Sequence, residues 1–323
     1  MSIFSSIMVL GGLGLLFGAI LAYASKKFEV KIDERIENIL DILPGANCGG
    51  CGFPGCSGLA SAIVNGKAPI NGCPVGGEGI TNKIARIMGT KAEGKIVEVA
   101  KVICKGNCNV AKNKYIYYGI DDCRAANSLS FGPKSCKYGC LGLGTCKNVC
   151  KFNAISIIDN IAIIDEEKCV MCGKCIDICP KKLIIRKPKE KDVVVECASL
   201  DFGKSLKEKC SVGCIGCGIC KKQCKFDAIE FENKIAKINY DKCIGCMECV
   251  KKCPTKVIKG NILKRKKVQI DESLCIGCGI CKKQCKFDAI KGEIKQNHII
   301  DESKCIGCNL CMQKCPKKAI KTI

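Results

Sequence analysis

Tryptophan is absent from this chain of 323 residues, histidine occurs once, and the apolar side chains are unevenly spread. We therefore expect several small units rather than one large core. The single histidine, His298, leaves no base for histidine-dependent hydrolysis, and we expect it at the surface. No G-x-G-x-x-G turn opens a helix after a strand, and no P-loop is present. The sequence therefore predicts no catalytic residue and no site for an organic cofactor on this chain.

Cysteine, by contrast, is abundant, with 33 residues in the chain. Such a level is typical of disulfide-rich secreted proteins or of metal sites. The cysteines recur two and three residues apart, so neighbouring thiols face one centre, which favours metal over disulfides. The stretch CIGCGICKKQCKFDAI occurs at 214–229 and again at 275–290. Its C-x2-C-x2-C-x3-C spacing is the one by which bacterial ferredoxins hold a [4Fe-4S] cluster.

Six cysteine loops follow one another in three pairs, since proline follows the fourth cysteine only in the second loop of each pair, at Pro180, Pro254 and Pro316. In a two-cluster ferredoxin the fourth cysteine of each loop binds the cluster of the other loop. For the regular loops this rule predicts five ligand sets. They are Cys169, Cys172, Cys175 and Cys150; Cys214, Cys217, Cys220 and Cys253; Cys243, Cys246, Cys249 and Cys224; Cys275, Cys278, Cys281 and Cys315; and Cys305, Cys308, Cys311 and Cys285.

The first loop of the first pair is irregular, because Leu143 occupies the position that Cys217 has in the second pair. We expect Cys136 to replace the missing ligand. The sixth predicted set is then Cys136, Cys140, Cys146 and Cys179. The stretches that begin at Cys123 and Cys197 both read C-x12-C-x3-C, which indicates that the lead-in to the first pair is duplicated before the second.

A further cysteine group lies near the N-terminus. A helical stripe from Asp33 to Leu43 ends at Pro44, and the pattern C-x2-C-x4-C-x16-C follows, with a short helix that we expect to be capped at Ser57. Glycines between the cysteines let the backbone wrap around a bulky inorganic core. Structural zinc is the alternative, but zinc sites usually bring their ligands as two separated pairs. The pattern predicts a seventh [4Fe-4S] cluster, bound by Cys48, Cys51, Cys56 and Cys73.

Seven clusters leave five cysteines over. One alternative is an eighth [4Fe-4S] cluster, and the other is free thiols in a connecting module. The eighth cluster would use Cys104, Cys108, Cys123 and one of Cys197 or Cys210.

Residues Ile3 to Ser25 are uncharged and mostly apolar, which is long enough for a helix that crosses a bilayer. A signal peptide is the alternative, because Ala22-Tyr23-Ala24 resembles a cleavage site. No Lys or Arg precedes the run, and export would place thiolate clusters in an oxidising space, so we favour a retained anchor. Lys26 and Lys27 follow directly, and the positive-inside rule then predicts a single-pass protein of the cell membrane with its C-terminal bulk in the cytoplasm.

The predicted fold class is α+β, and cluster binding is expected to supply much of the folding free energy. Short runs at 154–158, 161–164 and 229–231 are predicted strands, and short helices are expected after each third cysteine. The predicted domains are a single transmembrane helix (1–25), a small helical 4Fe-4S domain (26–90), a cysteine-containing connecting module (91–130), a linker (188–212), and three tandem two-cluster ferredoxin-like domains (131–187, 213–262 and 263–323).

The formal net charge of +22 would by itself suggest a nucleic-acid partner. A [4Fe-4S] cluster with four thiolates carries about two negative charges, so seven clusters would cancel roughly 14 of these charges. The lysines also lie between cysteine loops, as at Lys221 and Lys282, without interleaved aromatic residues. We therefore expect no nucleic-acid partner and favour an acidic protein partner.

Three segments carry a family resemblance: LFGAILAYASKKF at 16–28, NCGGCGFPGC at 47–56 and YGCLGLGTC at 138–146. In this order they resemble the B-type subunit of the Rnf complex, in its long polyferredoxin form. The resemblance implies a subunit of an ion-translocating ferredoxin:NAD oxidoreductase that relays single electrons from reduced ferredoxin to partner subunits. It also implies that NAD, flavins and the ion path belong to those partners. The alternatives are a free-standing polyferredoxin serving other redox enzymes and a zinc-rich structural protein.

Overall fold

The computed structural model describes residues 3–27, 33–92, 96–262 and 267–322. The chain divides into two compact units, Met1–Glu93 and Gly94–Ile323. Within the described residues, the first unit contains only helices, whereas the second combines short helices with two-stranded sheets. This agrees with the predicted α+β class.

The first helix of the first unit, α1 (Ile3–Lys27), is the one described helix that is long and apolar enough to cross a membrane. Its stretch Ile7–Lys27 has a mean hydropathy of 2.2, and none of its described side chains is buried against the rest of the protein. An apolar helix that is exposed on all sides requires an apolar surrounding, as a lipid bilayer provides. The helix therefore indicates association with a membrane.

Three more helices in this unit pack together: α2 (Glu34–Ile42), α3 (Gly55–Val64) and α4 (Gly77–Met88). The carboxylate of Asp33 caps α2 by accepting from the Arg35 N–H. The predicted cap at Ser57 is wrong, because α3 begins at Gly55. The side chain of Asn47 accepts from the Cys56 N–H at 2.7 Å, so a distant residue provides the N-terminal hydrogen bond instead.

The second unit repeats one sheet arrangement three times. In each cysteine pair, a strand that precedes the first loop pairs antiparallel with a strand that follows the second loop. These outer sheets are β1 (Glu98–Val102) with β4 (Ile184–Pro188), β5 (Val194–Val195) with β8 (Ile258–Lys259), and β9 (Val268–Ile270) with β12 (Ile320–Thr322). A hairpin connects the two loops within each pair: β2 (Ile155–Ile158) with β3 (Ile161–Ile164), β6 (Ile229–Glu232) with β7 (Ile235–Ile238), and β10 (Ile290–Lys291) with β11 (Ile299–Ile300).

Six of the short helices in this unit carry the third cysteine of a loop on their buried side. They are α6 (Thr145–Asn148), α7 (Lys174–Ile178), α9 (Ile219–Gln223), α10 (Glu248–Lys252), α11 (Ile280–Gln284) and α12 (Leu310–Gln313). The prediction that each helix follows its cysteine is wrong by one residue, because each helix begins just before it. Each pair has a small core in which cysteine sulfur packs against Ile, Val and Ala side chains.

The pairs differ in the chain between the outer strand and the first loop. This insertion spans residues 103–139 in the first pair and 196–213 in the second, but only 271–274 in the third. It contains α5 (Cys123–Ser128) in the first pair and α8 (Gly203–Lys209) in the second. Strand β1 lies within the predicted connecting module and β5 within the predicted linker, and each pairs with a strand that follows the second loop of its pair. The predicted domain boundaries stay a prediction.

The expectation that His298 lies at the surface is wrong, since only 1% of the residue is exposed. Its ring packs over Gly292, where an added Cβ would approach the ring to 2.8 Å. The Nδ1 atom lies 3.1 Å from the carbonyl oxygen of Gln296. The absence of a side chain at Gly292 therefore makes room for the imidazole.

Candidate iron–sulfur centres

Five groups of four cysteines come together in the second unit, each with three thiols from one loop and one from the other loop of its pair. We number them centre 2 (Cys169, Cys172, Cys175, Cys150), centre 3 (Cys214, Cys217, Cys220, Cys253), centre 4 (Cys243, Cys246, Cys249, Cys224), centre 5 (Cys275, Cys278, Cys281, Cys315) and centre 6 (Cys305, Cys308, Cys311, Cys285). These groups have the same members as the crossed sets predicted from the spacing. Their role as cluster ligands stays a prediction.

Glycines at positive φ shape the loops that present these thiols. Gly216 and Gly218 flank Cys217 with φ of 70° and 73°. The corresponding Gly142 and Gly144 in the first pair have φ of 73° and 80°. Such angles are easily adopted only by glycine, and they turn the chain so that closely spaced cysteines face one point.

Burial dominates the thiol chemistry of these centres. It raises the pKa of Cys146, Cys175, Cys249 and Cys311 to about 12, and the neighbouring thiols contribute to this rise. Backbone N–H groups oppose the effect, commonly from the residue two positions on: Gly245 lowers the pKa of Cys243, and Leu310 that of Cys308. Thiolate ligands require deprotonation, so iron must displace protons when these centres are loaded. Hydrogen bonds to sulfur are also among the features that tune cluster potentials.

The donor set of these centres fits iron–sulfur clusters. Four thiols come together in each centre, and thiolates are the usual ligands of such clusters. The four cysteines of centre 5 line a cavity of about 20 Å³.

The first loop of the first pair departs from the prediction. Cys123, Cys140, Cys146 and Cys179 line one cavity of about 30 Å³, and we number this group centre 1. The thiol of Cys146 lies close enough to the other three to feel their charge. Cys136, which the alignment suggested as the fourth ligand, does not line this cavity. The geometry thus replaces Cys136 by Cys123 as the thiol that compensates for Leu143.

Two hydrogen-bonding features hold Cys123 in this position. Asp122 caps α5 by accepting from the N–H groups of Arg124 and Ala125. The Cys123 N–H donates to the hydroxyl of Thr145 at 2.6 Å, and Thr145 is itself buried at the start of α6. Thr145 stands where the second pair has Ile219. This change from an apolar to a hydroxyl side chain is the sequence signal that could have identified Cys123.

The remaining cysteines of the second unit separate into two classes. Cys104, Cys136, Cys197 and Cys210 line a further cavity of about 20 Å³. Cys108 is exposed and lines neither this cavity nor that of centre 1. The expected grouping of Cys104, Cys108 and Cys123 is therefore wrong, because these three residues lie at three different places.

In the first unit, the cysteines of the N-terminal pattern also assemble. Cys73 lies close to Cys48 and Cys56, and burial raises its pKa. Cys51, Cys56 and Cys73 pack against the apolar core formed by the three helices. We call this group the N-terminal centre.

Comparison with protein families agrees with these positions. A 4Fe-4S dicluster domain family matches residues 268–322, and a second dicluster family matches residues 213–257 and 242–289. A 4Fe-4S binding domain matches residues 162–185, and a family described as a putative Fe-S cluster matches residues 43–75. The chain is therefore an iron–sulfur protein with several 4Fe-4S binding regions, a class whose chemistry is electron transfer.

Curated relatives define the family. The chain is 49% identical over 79% of its length to the B-type subunit of the Na(+)-translocating ferredoxin:NAD(+) oxidoreductase complex of Acetobacterium woodii, covering 77% of that protein. It is 41% identical over 79% of its length to the B-type subunit of the ion-translocating oxidoreductase complex of Methanosarcina acetivorans, covering 97% of it. It is also 41% identical over 72% of its length to the corresponding subunit of the proton-translocating ferredoxin:NAD(+) oxidoreductase complex of Clostridium ljungdahlii, covering 83% of it. The chain belongs to this family of B-type Rnf subunits, as the resemblance predicted.

Proposed function

We propose that this chain is the membrane-anchored electron-transfer subunit of an ion-translocating ferredoxin:NAD oxidoreductase complex. It takes single electrons from reduced ferredoxin and relays them through [4Fe-4S] clusters to partner subunits. The names of the relatives support this activity, and the arrangement of cysteines supports the relay. The two relatives differ in the ion they name, so this proposal assigns no coupled ion.

The observation that carries the proposal is that the centres adjoin one another. Cys146 of centre 1 lies close to Cys175 of centre 2. Cys220 of centre 3 lies close to Cys249 of centre 4. In the third pair, Cys281 of centre 5 and Cys311 of centre 6 belong to one buried core. This arrangement supports two adjoining clusters in each pair, as in a two-cluster ferredoxin. Three such domains in tandem give a relay rather than isolated redox sites.

We assign seven [4Fe-4S] clusters to this relay, in centres 1 to 6 and the N-terminal centre. Centre 1 uses Cys123 in place of Cys136. Each cluster takes up one electron and passes one on, so no covalent bond forms or breaks on this chain. The protein positions the clusters and donates N–H groups to their sulfur ligands.

The membrane topology is also part of the proposal. Helix α1 spans the cell membrane once, and Lys26 and Lys27 at its C-terminal end keep the iron–sulfur units in the cytoplasm. The exposed apolar surface of α1 supports the anchor, and the oxygen sensitivity of thiolate clusters supports the orientation.

A deletion strain tests the function. Anaerobic membranes that lack this chain should lose NAD reduction driven by reduced ferredoxin, and the intact gene should restore it. A variant lacking residues 3–27 should yield an iron–sulfur protein in the soluble fraction and should not restore membrane activity. Membranes that keep the activity without this chain would contradict the proposal. Recovery of the intact chain mainly in the soluble fraction would favour a free-standing polyferredoxin.

A further inference from the structure

We infer that Cys104, Cys136, Cys197 and Cys210 bind an eighth [4Fe-4S] cluster, located between centre 1 and centre 3. We call these four residues the junction centre. The existence of this cluster depends only on the structure of the second unit. Its role as the electron link between the first two ferredoxin-like pairs rests on the proposed relay function.

Backbone hydrogen bonds join the three segments that supply these cysteines. The Lys105 N–H donates to the carbonyl of Glu196 at 3.1 Å, next to Cys104 and Cys197. The Lys112 N–H donates to the carbonyl of Lys209 at 2.9 Å, and the Ser135 N–H donates to that of Lys112 at 2.8 Å. The four thiols are therefore held by main-chain pairing between the insertions of the first and second pairs, as a preformed cage requires.

The cage matches the other centres in size and in its sulfur contacts. Its cavity of about 20 Å³ equals that of centre 5 and is close to the volume of about 30 Å³ at centre 1. A Cβ built on Gly106 would lie 3.4 Å from the sulfur of Cys210 and 3.8 Å from that of Cys104, so both sulfurs face this glycine. All four cysteines are free rather than paired in disulfides.

Three of these sulfurs also have an N–H donor two residues further along the chain. The donors are Gly106 for Cys104, Ser199 for Cys197 and Val212 for Cys210. The regular loops have the same contact: the Gly245 N–H donates to the sulfur of Cys243, and the Leu310 N–H donates to that of Cys308. Hydrogen bonds to sulfur are a recurrent property of iron–sulfur sites. The junction cysteines thus have the local backbone of cluster ligands, not that of incidental buried thiols.

A buried lysine indicates that the occupant of the cage is an anion. Lys134 is 3% exposed and lines the cavity, and its ammonium group donates to the carbonyls of Gly106 at 2.7 Å and Asn160 at 3.1 Å. Among the ion pairs of the described residues, none involves Lys134. Lysine is almost never fully buried without a charged partner. A cluster with four thiolates, which carries about two negative charges, would supply that partner.

The junction centre lies next to cysteines of both centre 1 and centre 3. The Cys140 N–H, from a ligand of centre 1, donates to the sulfur of Cys104 at 3.4 Å. On the other side, the N–H of Cys214, a ligand of centre 3, contacts the sulfur of Cys197. A cluster here receives one electron from one neighbour and passes one to the other. It joins the first and second pairs into a continuous path.

Iron analysis of alanine variants tests the inference. We would purify the full chain anaerobically as Cys104→Ala, as Cys210→Ala and as the double variant, and measure iron and zinc per chain. Loss of one ligand either releases a cluster or leaves a three-iron form, so each single variant should lose roughly one to four irons. The double variant should lose about four in total, because both thiols bind the same cluster. The exposed Cys108→Ala variant is the matched control and should keep all its iron.

Each outcome decides the question. Full iron content in both single variants would overturn the inference, provided that Cys175→Ala loses iron in the same assay. A loss of about eight irons in the double variant would also overturn it, since separate sites or general unfolding would be responsible. Stoichiometric zinc that disappears in Cys210→Ala would overturn it by showing that the cage holds a different metal. None of these measurements depends on ferredoxin or NAD, so the proposed function can fail without affecting this result.

Discussion

The second ferredoxin-like pair contacts its two neighbours in different ways. Towards the first pair, the contact is made by inserted chain that brings four cysteines around one cavity. Towards the third pair, it is made by side chains of the repeated stretch. Phe226 and Phe287 lie 6.3 Å apart between ring centroids, and each neighbouring lysine, Lys225 and Lys286, lies over the ring of the other copy at 4.5 and 4.6 Å.

This second contact has approximate two-fold symmetry. The ammonium group of Lys225 donates to the carbonyl of Lys286, and the ammonium group of Lys286 donates to that of Lys225 at 2.7 Å. Cys224 and Cys285, ligands of centres 4 and 6, directly precede these lysines. The identical stretches thus place two centres next to one another without further cysteines. The first pair has the same dipeptide, Lys151-Phe152, but its link to the second pair uses the junction centre instead.

The comparison suggests two ways of lengthening a relay. A recent duplication can dock on its parent, because the same surface occurs twice and needs only mutual complementarity. The first pair has diverged further, since Leu143 occupies the position of Cys217 and Cys123 lines the cavity of centre 1. There the contact involves long insertions, and the additional cluster is expected to provide both binding energy and the redox link.

The largest expected effect comes from removing pairs of cysteines that belong either to centre 1 alone or to centre 1 and the junction centre. If Cys123 and Cys140 bind the same cluster, the variant Cys123→Ala/Cys140→Ala should lose about four irons per chain. If Cys136 belongs to the junction centre, the variant Cys136→Ala/Cys140→Ala should lose roughly two to eight irons, one to four from each of two damaged clusters, and the signals of both clusters should change. Iron analysis with cluster spin counting by electron paramagnetic resonance measures the difference. The reverse result would restore the ligand set suggested by sequence alignment.

A smaller effect is expected from Lys134→Met, which keeps the length of the side chain but removes its charge and its donors. The carbonyls of Gly106 and Asn160 would lose their partner. Leaving the carbonyl of the buried Gly106 unpaired costs about 1–3 kcal/mol, so the unfolding free energy should fall by about that amount. Clusters should therefore bleach at a lower guanidinium concentration. The reduction potentials of centre 1 and the junction centre should also fall, because a positive charge near them is lost.

Lys114→Met provides the matched control for this variant. Lys114 donates to the carbonyl of Ser130, but it is exposed, so water can replace the contact. Its substitution should change stability by less than about 0.5 kcal/mol. Equal shifts of the reduction potentials in the two lysine variants would mean that Lys134 does not interact with a cluster charge.

Local spacing was enough to predict a large part of this molecule. The spacing of Cys214, Cys217 and Cys220 defines one loop, and the hydrophobic runs at 154–158 and 161–164 identify a hairpin that the structure contains. The helix predicted between Asp33 and Leu43 is also present, as α2. These features depend on neighbouring residues, so the pattern of residue types contains the information.

Features that depend on distant residues were not predictable in the same way. Strand β1 pairs with β4 across the whole first pair, and nothing within 98–102 specifies that partner. The exchange of Cys136 for Cys123 depends on the hydroxyl of Thr145, and the junction centre combines residues from two insertions. The burial of His298 depends on the missing side chain of Gly292. In each case a contact between residues distant in the sequence determines which of several locally possible arrangements forms.

The smallest effect is expected at the contact between the second and third pairs, and it should leave every cluster intact. Aromatic pairs contribute about 0.5–1.5 kcal/mol beyond their buried area, and exposed cation–π contacts about 0.5–1 kcal/mol each. A double-mutant cycle of Phe226→Ala and Phe287→Ala should therefore give a coupling free energy of about 1 kcal/mol, with unchanged iron. Phe152→Ala is the matched control, because Phe152 follows the same cysteine position but has no ring partner among the described residues. Its combination with Phe287→Ala should be additive. Additivity of Phe226→Ala and Phe287→Ala as well would mean that the repeated stretches do not stabilise one another. Iron loss in Phe226→Ala or Phe287→Ala would mean that this contact, like the junction centre, depends on a cluster.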